Sequence, residues 1–179
     1  MSKKVLAFAL DGFEETELVA PVDILRRGGI FVDFATVGKS TIKSSHGFVF
    51  SEILNLNTLD LSVYDAVILP GGAHYKECVK SKEIISTLKY FKENNKFLCS
   101  ICAGPTILGD LGYLKGKKYT CFTSMNREYG GTYLYQYTVR DHNLITAQAA
   151  SAAIEFGLLI LESLTDTNTK ISIMKKIYF

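Results

Sequence analysis

The run Phe97-Leu-Cys-Ser-Ile101 is short and apolar, and it stops at Cys102, which is followed at once by Ala103, Gly104 and Pro105. A proline is well tolerated in the first turn of a helix and poorly inside a sheet, so the segment reads as a strand bending sharply into a helix. Ser100-Ile-Cys-Ala-Gly104 has the spacing of the G-x-S-x-G nucleophile elbow, with a thiol replacing the hydroxyl. The thiol of Cys102 would face the first free N–H groups of the helix. Those groups favour negative charge, which predicts a thiol pKa below the ordinary value.

Two further apolar runs follow the same plan. Lys4 to Leu10 and Asp65 to Leu69 are continuous apolar strands of the kind buried on both faces of a parallel sheet. The second runs into Pro70-Gly71-Gly72, where backbone must approach something closely. Between them, Glu14 to Arg27 has helical spacing at Leu18, Val22 and Leu25, acids at its start, arginines at its end and Gly28-Gly29 as a stop. Pro21 fits easily only in a first turn, so the regular helix is expected either to start near Ala20 or to kink.

Ile30 to Thr36 reads as the second strand, and His46 to Phe50 as a short strand within an irregular excursion. Ser81 to Asn94 and Pro105 to Leu111 read as helices. Tyr119 to Phe122 is a further strand, and Thr132 to Val139 pairs with Leu144 to Thr146 as a hairpin across Arg140-Asp-His-Asn143. Ser151 to Leu164 is an apolar helix, and no definite structure is predicted from Thr165 onward. The alternation indicates one α/β domain over residues 1–179, with an open, mostly parallel sheet. Its ligand crevice should lie beyond the carboxyl ends of the strands that finish at Leu10, Leu69 and Ile101.

Composition narrows the function. Hydrophobic residues make up 47% of the 179 and the formal net charge is +2, with basic residues dispersed, so no nucleic-acid footprint is present. No apolar run nears the roughly 18 residues of a membrane span, and the apolar run at Val5 is too short for a signal peptide, so a cytoplasmic protein without membrane contact is expected. Four irregularly spaced cysteines read as reduced thiols. Cys99 and Cys102 form a C-x-x-C, but along an extended strand their Cα atoms would stand about 10 Å apart, too far for a disulfide. Cys99 is therefore expected to be a buried apolar residue. No second close-spaced ligand pair accompanies the cysteines, so neither a metal nor another cofactor is expected.

The topology would bring together Asp11 to Glu17, Pro70 to His74, and Cys102 with Ala103. Gly72 and Ala103 are candidates to present N–H groups to an oxyanion. Glu14, Glu15 and Glu17 are candidate acid/base groups, and spacing does not choose among them. A carboxyl beside a thiolate in an apolar pocket would hold its proton and donate a hydrogen bond to sulfur. His74 is either an accessory base or a residue lining the mouth. His142 should be solvated in its hairpin turn, and His46 has no chemical company in the sequence.

Asp11-Gly-Phe-Glu-Glu-Thr-Glu-Leu18, Pro21-Val-Asp-Ile-Leu-Arg-Arg-Gly-Gly-Ile30, Leu69-Pro-Gly-Gly72 and Ile101-Cys-Ala-Gly-Pro105 together resemble the ThiJ/PfpI superfamily. Within it, the likeness is to the clade of the Parkinsonism-associated deglycase. The resemblance spans roughly Lys4 to Leu164. It implies a flavodoxin-like three-layer α/β sandwich related to class I glutamine amidotransferases, and a homodimer. It also implies roles: Cys102 as nucleophile, Glu17 as the carboxyl that hydrogen-bonds it, and Gly72 with Ala103 as oxyanion donors.

The activity so implied is cofactor-independent glyoxalase or deglycase chemistry on methylglyoxal, glyoxal or their protein adducts. The alternative is a redox sensor or redox-regulated chaperone, in which Cys102 is oxidised to a sulfinate. A peptidase or amidotransferase-type hydrolase ranks third, since no motif places a histidine beside Cys102. Two positions depart from the family pattern. Phe122 stands where some members have a histidine, and Thr146-Ala-Gln-Ala-Ala-Ser-Ala152 replaces a Ser-Arg-Gly-Pro-Gly-Thr-like loop.

Overall fold

The computed structural model describes residues 3–179, and its core is a seven-stranded sheet. The chain runs β1 (Lys4–Phe8), α1 (Glu15–Arg27), β2 (Phe31–Thr36), β3 (Ile42–Lys43), β4 (Val49–Phe50), β5 (Leu54–Asn55), β6 (Ala66–Leu69), α2 (Tyr75–Cys78) and α3 (Lys82–Glu93). It continues through β7 (Phe97–Ile101), α4 (Gly104–Asp110), β8 (Lys118–Tyr119), β9 (Thr132–Tyr133), β10 (Thr138–Asp141), β11 (Leu144–Ala147), α5 (Ala153–Leu164) and α6 (Thr167–Ile177). The main sheet has the order β10-β11-β7-β6-β1-β2-β5, and every neighbouring pair is parallel except β10 with β11. Helices cover both faces, giving the flavodoxin-like three-layer sandwich.

The continuous apolar runs are explained by alternation between two cores. Val5 and Ala7 of β1, Ala66 and Ile68 of β6, and Cys99 and Ile101 of β7 face one side with α1, α5 and Ile173 of α6. Leu6 and Phe8, Val67 and Leu69, and Leu98 face the other with α3 and α4. Neither face of these strands meets water, so neither needs a polar residue. Burying each large aliphatic or aromatic side chain in this way contributes about 1.5–3 kcal/mol. Cys99 takes its place in the first core and is 1% exposed.

Several elements differ from expectation. The helix at Glu15 runs through Pro21 to Arg27 rather than starting near Ala20. Its start is fixed by Glu14, whose side chain accepts a hydrogen bond from the N–H of Glu17 at 2.7 Å. His46 to Phe50 does not form one strand: β4 covers only Val49–Phe50 and turns back on β3. Tyr119 to Phe122 is not a strand of the main sheet either. β8 ends at Tyr119 and pairs with β9, and the chain then turns toward Cys102, where the N–H of Phe122 donates to its carbonyl at 2.9 Å.

Thr132 to Val139 is split into β9 and β10, because the intervening segment makes a tight turn in which Gln136 N–H bonds the Leu134 carbonyl at 2.9 Å. Beyond Thr165 the chain forms α6, capped by Asp166, which accepts from Thr169 N–H at 2.8 Å. Thr167, Asn168 and Thr169 are weak helix formers and hid it, while burial of Ile173 against the first core holds it in place. No helix among the described residues is long and apolar enough to cross a membrane.

Candidate active site

The parallel strands β1, β6 and β7 end on one edge, and the three turns that leave them converge there. Cys102 sits on the bend between β7 and α4 with φ of 61°, a left-handed conformation that a non-glycine residue adopts at a cost of roughly 1–3 kcal/mol. Hydrogen bonds hold it there. Its N–H donates to Ala147 O at 3.0 Å, and its carbonyl accepts from Phe122. The Thr106 hydroxyl and N–H both bond the Ala103 carbonyl, at 2.7 and 3.1 Å. The bend leaves Cys102 partly accessible, whereas Cys78, Cys99 and Cys121 are buried, and all four are unbridged.

Glu17 lies in the first turn of α1 and is 1% exposed. Its Oε2 accepts from the N–H of Gly71 at 2.8 Å, and the Cys102 thiol and the Ala150 N–H lie beside the carboxyl and favour its charged form. Burial, reinforced by the nearby Glu14 carboxylate, raises its pKa to about 7 against the opposing pull of those groups. Cys102 is also pushed up, first by burial and then by the negative charge of Glu17, while the N–H groups of Ala103 and Gly72 pull the other way. The expected lowering by the helix terminus is therefore outweighed. What the geometry provides instead is a coupled pair in which a proton on Glu17 removes the charge that most opposes a thiolate.

The backbone N–H groups of Ala103 and Gly72 lie beside Cys102 and favour negative charge on its sulfur. The neighbouring Gly71 is as restrictive as Gly72. A Cβ on Gly71 would lie 2.5 Å from Glu17 Oε2 and 2.6 Å from the Cys102 Cβ. Gly72 has φ of 95°, and a Cβ there would meet the backbone of Glu14 at 2.5 Å. The turn that carries both is tied to the start of α1 by the Phe13–Gly72 bridge and by Glu14 N–H donating to Gly71 O at 2.9 Å.

Two of the three histidines are placed otherwise than the sequence implied. His74 does not line the mouth: it is 1% exposed, and both ring nitrogens are engaged within the protein. His46 does have company, with Nδ1 2.9 Å from Glu15 Oε1, and together with Glu14 these side chains gather at the surface. Glu14 and Glu15 thus serve as helix cap and histidine partner, and Glu17 alone of the three enters the thiol site. His142 is exposed in its hairpin turn, with φ of 58°.

The divergent loop from Ala147 to Ala152 supplies the elbow with the Ala147 carbonyl and Glu17 with the Ala150 N–H, while Gln148 reaches across to Thr123 at 3.2 Å. Phe122 stands 43% exposed. The sequence reading missed the N–H groups of Gly71 and Ala150, which carry no side-chain signal. The doubled glycine was the one available clue to the first.

Residues 3–163 match the model of the DJ-1/PfpI family. Protein dj-1beta of Drosophila melanogaster is 32% identical over 169 residues, covering 92% of this chain and 90% of that protein. A protein named deglycase TK1284 from Thermococcus kodakarensis is 30% identical over 148 residues, covering 81% and 89%. Among solved structures, Drosophila melanogaster DJ-1beta superposes with a TM-score of 0.92 at 30% identity, covering 99% of this chain and 98% of that one. Oxidized Toxoplasma gondii DJ-1 also gives 0.92, at 26% identity and 99% coverage of both.

Proposed function

The chain belongs to the DJ-1/PfpI family, and from that premise we propose that it is a cysteine-dependent glyoxalase or deglycase acting on methylglyoxal, glyoxal or their protein adducts. The observation that carries this reading is the buried Glu17 beside Cys102, 1% exposed, holding the Gly71 N–H at 2.8 Å and raised to about 7, with the Gly72 and Ala103 N–H groups favouring negative charge on the same sulfur. A carboxyl that titrates near neutrality can both give and take a proton in one turnover. The relative named a deglycase supports the assignment.

In the proposed reaction, the Cys102 thiol gives its proton to the Glu17 carboxylate as its sulfur adds to the aldehyde carbon of methylglyoxal, and the C=O electron pair moves to oxygen. The N–H groups of Gly72 and Ala103 stabilise that oxyanion, which takes the proton held by Glu17. The Glu17 carboxylate then removes the hydrogen from the former aldehyde carbon, giving an enediol. Reprotonation at the adjacent carbon gives a lactoyl thioester, and water releases lactate and restores the thiol. The sum is methylglyoxal plus water to lactic acid, an internal redox exchange that needs no cofactor. Glyoxal gives glycolate by the same steps.

A second reading, as a redox sensor or redox-regulated chaperone, draws on the accessibility of Cys102 beside three buried cysteines. In it the thiol is oxidised to a sulfinate and a protonated Glu17 donates to it. Homodimer assembly belongs to the same proposal. It is supported by an exposed apolar face, in which Val19 of α1 lines one groove with Phe48 and Phe50 of the β3–β4 region. A cytoplasmic setting fits four unbridged cysteines. Lactate formation by the purified protein, with Cys102→Ser alongside, tests the enzymatic reading. Turnover lost in the variant supports it, and no turnover in either protein transfers the assignment to the sensor.

A further inference from the structure

His74 is the one buried histidine among the described residues, and the mechanism above does not use it. Its hydrogen bonds fix its chemistry. The N–H of Leu10, which can only donate, points at Nδ1 from 3.2 Å, so Nδ1 is an acceptor and carries no proton. Nε2 therefore bears the hydrogen and donates to the Pro70 carbonyl at 3.0 Å. The Cys78 thiol lies 3.4 Å from Nδ1, and burial holds that thiol protonated, with its pKa near 12. Burial also lowers the imidazole to about 4, so the ring stays neutral throughout the neutral range and is no candidate for a base there.

The Pro70 carbonyl and the Gly71 N–H belong to one planar peptide unit. His74 grips one end of it, and Glu17 Oε2 accepts from the other at 2.8 Å. We propose that His74 is a positioning residue of the thiol site: its Nε2–H holds the Pro70–Gly71 peptide plane so that the Gly71 N–H stays aimed at the Glu17 carboxyl. Hydrogen bonding at the carbonyl also polarises the peptide and strengthens its N–H as a donor. The arrangement links the end of β1, through Leu10, to the proton-carrying group on α1 by way of the turn after β6. This inference rests on the reading of Glu17 as the proton carrier, and it can be checked without substrate.

The ionisable groups facing Glu17 are Cys102 from the β7–α4 turn and Glu14 from its own helix start; the one facing His74 is Cys78. None of these is altered in the test. The 13C resonance of the Glu17 carboxyl is titrated in the full chain and assigned by its absence in Glu17→Gln. Loss of a donor to the charged form raises a carboxyl pKa, so His74→Leu moves the midpoint upward by about half a pH unit. His74→Gln, whose amide nitrogen reaches the place of Nε2, restores the native midpoint. An unchanged midpoint in a folded His74→Leu overturns the proposal. Should His74→Leu not fold, the 15N spectrum of the native imidazole decides: a neutral ring protonated at Nε2 supports it, and one protonated at Nδ1 overturns it. Absence of lactate formation by the native protein would remove the enzymatic reading while leaving the Glu17 midpoint, and this inference, intact.

Discussion

Replacing Glu17 by Gln removes a buried charge while keeping the shape and the acceptor for Gly71. In the folded protein Glu17 holds its proton to about pH 7, against 4.5 as the ordinary value, so the folded state binds a proton more tightly than the unfolded chain. Below 4.5 both states are protonated and the group is neutral to stability. Between 4.5 and 7 the unfolded chain releases its proton first, and stability is lost as pH rises. The full interval corresponds to about 3 kcal/mol, an upper value because Cys102 shares the proton. Urea unfolding of both proteins from pH 4.5 to 8 measures it. The native carboxylates held low by their partners, such as Asp11 and Asp65, are common to both proteins and cancel in the difference. Glu17→Gln is expected to gain on the native protein as pH rises, by up to about 3 kcal/mol at pH 8. A difference that stays flat across the range refutes the buried, proton-holding carboxyl.

Three further outcomes are expected. Iodoacetamide at neutral pH labels Cys102 well ahead of Cys78, Cys99 and Cys121, because only Cys102 is accessible, and peptide mapping that finds equal rates removes the exposed-thiol argument. Gly71→Ala places a methyl group 2.5 Å from Glu17 Oε2, which costs about 1–3 kcal/mol in a denaturation curve and disrupts the Glu17–Cys102 pair; native stability and native Cys102 reactivity would contradict that geometry. Phe48→Asp, in the exposed face beside Val19, is expected to yield monomer in sedimentation equilibrium where the native chain gives dimer, and an unaltered mass would move the contact elsewhere.

The parts of the fold that were legible in the sequence are those where one local rule decides. Val5 to Phe8 and Ala66 to Leu69 had to be doubly buried strands, since no position on them could face water. Cys102 was legible because a bend from strand to helix leaves a mark in its flanking small residues. What failed or stayed open depended on partners distant in sequence. Pro21 sits inside α1 although local propensity opposes it. Tyr119 to Phe122 has strand-like residues, yet its end is drawn away to the Cys102 carbonyl. His74 sits beside the glycine turn, so it looked like a mouth residue, but its ring faces inward to Leu10 and Pro70. The choice of Glu17 over Glu14 and Glu15 needed the family resemblance. The helix spacing alone left three acids open, and their separation into cap, histidine partner and thiol partner is a three-dimensional result.

The central claim, that Cys102 and Glu17 convert a small dicarbonyl through an enediol, is tested most directly by running the methylglyoxal reaction in D2O and examining the lactate by NMR. The account predicts lactate carrying a solvent-derived deuteron at the carbon that bears the hydroxyl, formed by the native protein and abolished by Cys102→Ser. Lactate that keeps the aldehyde hydrogen at that carbon, as a direct hydride shift would leave it, or lactate formed equally well by the variant, would contradict it.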